Sequence, residues 1–265
     1  MLIDPKANKV RGVAKLTKKD ARSSTGLFLL EGPQGLKEAL DRPKLIVELY
    51  ATEDALERYS DLFERAQNAR IELQLVSEPV LKALTDTTTP QGVVAVCEQI
   101  DVTLQDIIDA KPQLVALLAN IRDPGNAGTV LRAADAAGAD AVIFSSNSVD
   151  VYNPKVVRST TGSLFHLPFA VDVEIEQAIS ALKAAGLQVF AANGGGDTIP
   201  SLGDETLAKP TVWVFGNEAW GFEPETLELV DREVAVPIYG AAESLNLATA
   251  ASICLYASAF AQNQQ

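Results

Sequence analysis

Apolar runs and amphipathic segments alternate along most of the chain. Over residues 26–99 the runs GLFLLEG, KLIVELYAT, IELQLV and QGVVAVCEQ have the length and side-chain content of strands. Between them PQGLKEALD, DALERYSDLFERAQNA and SEPVLKALT carry helical spacing. This alternation predicts a small α/β domain over residues 1–98. The register changes in QIDVTLQDIIDAKP, which ends in a proline, and the linker is placed at 99–111. Beyond it QLVALLAN, AVIFSS, LPFAVDV, LQVFAAN, TVWVFGNE and EVAVPI read as strands, with AGTVLRAADAAGA and EIEQAISALKAAG as helices between them. Strands alternating with helices predict a second α/β domain, 112–265, with a mainly parallel sheet covered on both faces. Gly138 and Gly186 fall where C′ glycines stop two helices. The run Gly194–Gly196 reads as a loop and the terminal AQNQQ as a frayed end.

The chain has 265 residues, room for two domains, and 47% hydrophobic against 22% charged residues suits a globular core. Its start lacks an apolar signal region and no stretch reaches the ~18 apolar residues of a membrane span, so a cytoplasmic protein is expected. Cys97 and Cys254 sit among apolar neighbours as small hydrophobes, and with a single histidine no metal site is expected. His166 reads as a packed structural histidine rather than a base. A net charge of −13 counts against nucleic-acid binding. Residues 1–22, however, hold seven Lys and Arg against two Asp, a local +5 on a remainder of −18. Lys15, Lys18, Lys19 and Arg22 are therefore candidate RNA contacts, with a solvated helix face as the alternative.

Three expected strand ends are loaded with polar residues and glycines, where ligands of open α/β sheets collect. In LLANIRDPGNAGTVLRAADAAGA, Asn126 is a candidate helix N-cap, and Arg132 follows six residues on, within reach of the strand end. Ala133, Ala134 and Ala137 allow close packing. In VWVFGNEAWGFEPE, Gly216, Asn217 and Glu218 follow a strand directly, and glycines there let a ligand approach the backbone. In VAVPIYGAAESLNLATAASICLYASAF, Ser244 is the N-cap candidate of a long helix of small residues, and Asn246 in its first turn calls for a polar partner. A GxGxxG fingerprint is absent, which disfavours a nucleotide-dependent oxidoreductase.

Taken in order, N-x5-R, FGNE-x-x-G and P-I-x-G-x4-S-L-N resemble the three motifs of the SpoU (TrmH-like) RNA methyltransferases of the SPOUT superfamily, over roughly residues 112–262. The basic start, FLLEG and TPQGVVAV resemble the substrate-binding domain that precedes the catalytic domain in many members, similar in fold to a kink-turn-binding ribosomal protein. The resemblance implies a C-terminal trefoil-knot domain, a homodimer formed through it, and an S-adenosylmethionine-dependent 2′-O-ribose methyltransferase of structured RNA, 23S ribosomal RNA ahead of transfer RNA. By the same resemblance the catalytic candidates are Asn126, Arg132, Glu218, Ser244 and Asn246, and the cofactor-binding candidates are Gly216, Ile238, Leu247 and Asn193. Arg158, before TTGSLFHLPF, joins the RNA-binding candidates. Guanidinium keeps its proton with a pKa above ~12, so Arg132 is expected to anchor phosphate and developing alkoxide, fixed by Asn126 and Glu218, rather than act as a base. Methylation of a base nitrogen, or a non-catalytic RNA-binding protein with the same fold, are the competing readings.

Overall fold

A computed structural model describes residues 1–264 and separates them into two compact units. The first joins Met1–Ile100 to a later segment, Tyr152–Phe165; the second holds Asp101–Val151 and the chain from His166 onward. The segment 152–165, expected within the second domain, thus groups with the first unit. The expected linker contains a helix, Leu104–Asp109, whose Thr103–Asp106 capping box starts it within the second unit.

The first unit is built on a four-stranded sheet of β1 (Leu27–Glu31), β2 (Ile46–Ala51), β3 (Leu73–Leu75) and β4 (Val93–Glu98), in the order β1-β4-β2-β3. β4 runs antiparallel to both neighbours, and β2 pairs parallel with β3. Leu29, Tyr50, Val94 and Val96 close one core with Val10, Leu16, Val80 and Leu81 from the flanking helices. Segment 152–165 adds aromatic packing: the Phe28 ring lies 4.9 Å from that of Tyr152 and 6.4 Å from that of Phe165. The helix expected over 54–69 is two, Glu53–Arg58 and Ser60–Asn68, broken at Tyr59.

The second unit carries six parallel strands: β5 (Leu114–Leu118), β6 (Ala141–Ser145), β7 (Phe169–Val173), β8 (Gln188–Thr198), β9 (Thr211–Phe215) and β10 (Arg232–Ala235). Their order is β10-β8-β9-β5-β6-β7. β5, β6 and β9 are buried at every position, which is why each reads as an unbroken apolar run. The strand order reverses between β5 and β9, and crevices in such sheets open at the carboxyl ends around that point. The helix Leu247–Gln262 returns from the β10 edge to pack against β5, β8, β9 and the helix Pro124–Ala136. Its Ser258 hydroxyl takes the indole N–H of the buried Trp213 at 3.0 Å.

Two expectations of loose structure give way. Gly194–Gly196 lie within β8, not in a loop. β10 pairs with β8 on either side of this stretch, Glu233 with Ala191 and then Val234 with Asp197, so the glycines form an irregular excursion of a paired strand. In AQNQQ, Ala261 and Gln262 are helical, and Gln262 donates to the carbonyls of Gln113 and Lys209 at 3.1 Å each; Gln265 lies outside the described residues. Gly138 and Gly186 do follow their helices with positive φ, 72° and 94°.

Candidate active site

The carboxyl ends of β8, β9 and β10, the start of the Pro124–Ala136 helix and the approach to the C-terminal helix enclose a cleft of about 690 Å³. Asn126, Asn193, Glu218, Ile238, Ser244, Asn246 and Leu247 all line it, bringing together residues up to 121 positions apart in the chain.

Its polar wall is a hydrogen-bonded chain. Glu218 accepts from the backbone N–H groups of Arg122 and Asp123, both at 3.1 Å, and from Asn126 Nδ2 at 3.3 Å. Asn126 Oδ1 in turn accepts from Asn246 Nδ2 at 3.0 Å. Asn246 Oδ1 accepts from Ala248 and Thr249 N–H at 2.9 and 3.3 Å, capping the C-terminal helix. One residue from each of the three motif segments is thereby locked to the next. The bond pattern also corrects both cap assignments. Asn246, not Ser244, caps the long helix, while Asp123, not Asn126, caps the earlier one, its carboxylate taking Asn126 N–H at 2.8 Å with Pro124 at the first helical position.

The β9 end is fixed by residues that sequence reasoning left unassigned. Asn217 is buried, donates to the Asn120 carbonyl at 2.6 Å and accepts Ala219 N–H at 2.8 Å. Its backbone pairs with Gly221 in both directions, closing a tight turn over Glu218, Ala219 and Trp220. Gly216 does not line the cleft. A Cβ there would lie 2.6 Å from the Gly221 carbonyl oxygen, so glycine is what lets the turn fold back on the strand. Asn193 lines the wall and donates to Glu233 at 2.7 Å. The direct succession of Asn217 onto a fully apolar strand was the available signal for its role.

Several candidates lie elsewhere. Arg132 is exposed, outside the cleft wall, and forms no bond with Asn126 or Glu218. Six helical positions turn it roughly 120° from Asn126 and carry it about 9 Å along the axis. Lys15, Lys18 and Lys19 are exposed, but Arg22 is 2% exposed and donates to the Leu16 carbonyl at 2.8 Å, so it serves the first unit's interior rather than an RNA face. Arg158 is likewise engaged, by Glu31 at 2.9 Å and Asp86 at 3.3 Å. His166 is exposed instead of packed, and pairs with Asp135 at 2.7 Å. Cys97 and Cys254 are fully buried, and burial pushes both thiols up to about 12. Among the described residues no His, Cys, Asp and Glu cluster fits a metal ion.

A parallel α/β unit with a polar cleft at its strand-order reversal is an enzyme domain built to hold a small molecule beside a reacting group. The comparisons define it further. The SpoU rRNA Methylase family matches residues 113–256, and the RNA 2′-O ribose methyltransferase substrate-binding family matches 29–102. The 23S rRNA (guanosine(2553)-2′-O)-methyltransferase RlmP of Bacillus subtilis is 37% identical, over 95% of this chain and 96% of its own. The 23S rRNA (uridine(2479)-2′-O)-methyltransferase of Streptomyces viridochromogenes is 32% identical, over 92% and 86%. The AdoMet-bound rRNA methyltransferase of Sinorhizobium meliloti superposes with a TM-score of 0.84 at 31% identity, covering 97% of this chain and 96% of that one. The chain belongs to the SpoU methylase family of RNA 2′-O-ribose methyltransferases.

Proposed function

We propose that this protein transfers a methyl group from S-adenosylmethionine to a ribose 2′-hydroxyl of 23S ribosomal RNA. The observation that carries the reading is the Glu218–Asn126–Asn246 chain across the cleft, which joins three polar motif residues that a plain fold has no need to align. The names of the full-length relatives support the ribosomal target, and transfer RNA is not favoured by them.

The cleft fits the cofactor on its own chemistry. Its volume lies in the ~300–1,000 Å³ range of small-molecule sites. Leu245, Leu247, Ile238 and Ala250 offer apolar faces for an adenine, while Gly194 and Gly196 leave backbone accessible. The wall holds no Lys or Arg but includes Glu218 and Glu243, a setting compatible with a sulfonium cation. When bound, the cofactor supplies an electrophilic methyl. The chain's part is to place a ribose hydroxyl in line with it, and the rigid Glu218–Asn126–Asn246 row with the nearby Ser244 hydroxyl does that positioning. Arg132, outside the wall and without a partner among the described residues, grips an RNA phosphate.

The same reading assigns residues 1–98 to RNA recognition, through Lys15, Lys18 and Lys19, residues 99–111 to the link, and 112–265 to catalysis. It takes the return of the last helix across the sheet as the closing pass of a trefoil knot. It also makes the protein a homodimer through that helix, on which Ile253 and Phe260 are 40% and 62% exposed. No helix among the described residues can cross a membrane, and the cytoplasm, where ribosomal RNA is modified, is the assigned compartment. Mapping 2′-O-methyl positions in total RNA with and without the gene tests the function: loss of one ribose methyl from 23S rRNA is expected, and an unchanged ribose map with a missing base methyl would overturn it.

A further inference from the structure

We propose that Trp220 and Tyr239 form an aromatic platform at the mouth of the cleft, against which the base of the nucleotide being methylated stacks. The proposal rests on the reading of the cleft as the methyl-transfer site and names how that site holds its substrate.

Trp220 is 52% exposed and Tyr239 is 90% exposed, although most large apolar side chains of this protein are buried. Each belongs to a loop that builds the cleft. Trp220 sits between the cleft residues Glu218 and Gly221, and Tyr239 directly follows the cleft residue Ile238, itself 37% exposed. The Trp220 loop is stiff, because Asn217 and Gly221 exchange backbone bonds at 2.7 and 2.9 Å across its base and Glu218 is tied down by three donors. An indole held in water on a rigid turn beside a ligand cleft is placed for a planar partner.

Chemistry identifies the partner. A cleft that takes in a ribose together with its base separates that nucleotide from its stacked neighbours, and leaving the stack costs a few kcal/mol. The cleft wall offers no Lys or Arg with which to recover that cost through a phosphate, and its Glu218 and Glu243 repel one. An aromatic face at the wall can hold the displaced base without charge, since every base has a π-face.

The chain has two tryptophans, and the second, Trp213, is fully buried, so quenching of exposed indole emission reports on Trp220. The experiment compares wild type, Trp220→Ala, Tyr239→Ala, the double variant and Trp220→Phe on an in vitro 23S rRNA transcript. Methyl transfer, fluorescence quenching with S-adenosylhomocysteine present, cofactor affinity by calorimetry and mass by light scattering are all measured. The expected result is quenching of wild-type emission by the transcript and a loss in kcat/KM for RNA of about tenfold for each Ala variant and about a hundredfold for the double. Trp220→Phe should stay near wild type and cofactor affinity should not move. Wild-type kcat/KM in the double variant, with the wild type active, overturns the platform alone. An inactive wild type on the transcript overturns the reading beneath it. A change of oligomeric mass on substitution reassigns the two rings to a subunit contact and also overturns the proposal.

Discussion

Asn246 makes two kinds of bond, and one pair of substitutions separates them. Its Oδ1 caps the C-terminal helix through Ala248 and Thr249, and its Nδ2 holds Asn126 at 3.0 Å. Asn246→Ala loses both, at about 1 kcal/mol for the cap and ~0.5–1.5 kcal/mol for the second bond. A total near 2 kcal/mol lowers the melting temperature by roughly 4–8 °C in a unit of this size. Asn246→Asp keeps the capping oxygen, and its charge at a helix N-terminus contributes a further ~0.3–1 kcal/mol. It has no donor for Asn126, however. If the Asn126 amide turns over to satisfy the new carboxylate, its oxygen faces Glu218 instead, so one link of the row fails in either rotamer. Asn246→Asp should therefore melt within about 2 °C of wild type yet lose at least about tenfold in kcat, because misplacement of a reacting group by an ångström is costly. Calorimetric melting and single-turnover methyl transfer provide the two readings. Wild-type kcat in Asn246→Asp would show that Asn246 is a helix cap and nothing more, and that the row does not position substrate.

Arg132→Lys keeps the charge and loses the planar fork, so kcat/KM for RNA should drop by about tenfold or more with no change in cofactor affinity; full recovery of the variant as pH approaches 10 would instead make the residue a base. Gly196→Ala sets a Cβ 2.2 Å from Glu233 backbone atoms, and the resulting shift of the β8–β10 junction, at ~1–3 kcal/mol for overpacking, should weaken cofactor binding by roughly tenfold or more in calorimetry. With both thiols raised to about 12 by burial, Cys97 and Cys254 are neutral at pH 8; both should resist iodoacetamide in the native protein and react once it is denatured, as read by mass spectrometry.

The strands of the second unit were legible because a parallel sheet covered on both faces demands unbroken apolar runs, as in TVWVF and LVALL. Caps were harder to place. DPGN offers two capping residues three apart, and ESLN offers two more, so composition alone allows either register; the proline after Asp123 was the clue that decides the first. β8 was cut short at Asn193 because Gly194–Gly196 carry no hydrophobic pattern, and the strand resumes only through the pairing of Asp197 and Thr198 with β10, some forty residues later. Arg22 and Arg158 look from sequence like any exposed basic residues. Their engagement depends on the Leu16 carbonyl in one case and on Glu31 and Asp86, 127 and 72 residues away, in the other. The grouping of the three motifs was read by resemblance, and no periodicity in the chain predicts the bonds between Glu218, Asn126 and Asn246.

Those two arginines change what the acidic balance implies about RNA. With Arg22 buried and Arg158 paired, the named RNA contacts of the first unit reduce to Lys15, Lys18 and Lys19. Neutralising three phosphates with these and a fourth with Arg132 gives a slope of log affinity against log salt of roughly −2.8 for single strands and −3.6 for a duplex. Between 50 and 200 mM salt, RNA affinity should therefore decrease about 50- to 150-fold, short of the ~10³–10⁵ decline of proteins making six to ten phosphate contacts. Lys15→Ala, Lys18→Ala and Lys19→Ala combined should flatten that slope to about −0.7 to −0.9, the share of Arg132. A wild-type slope beyond about −5 would mean that cations outside this cluster carry the binding. A shallow slope that survives the triple substitution would remove the N-terminal lysines from the RNA interface, and would leave shape and stacking contacts to hold an RNA against a chain of net charge −13.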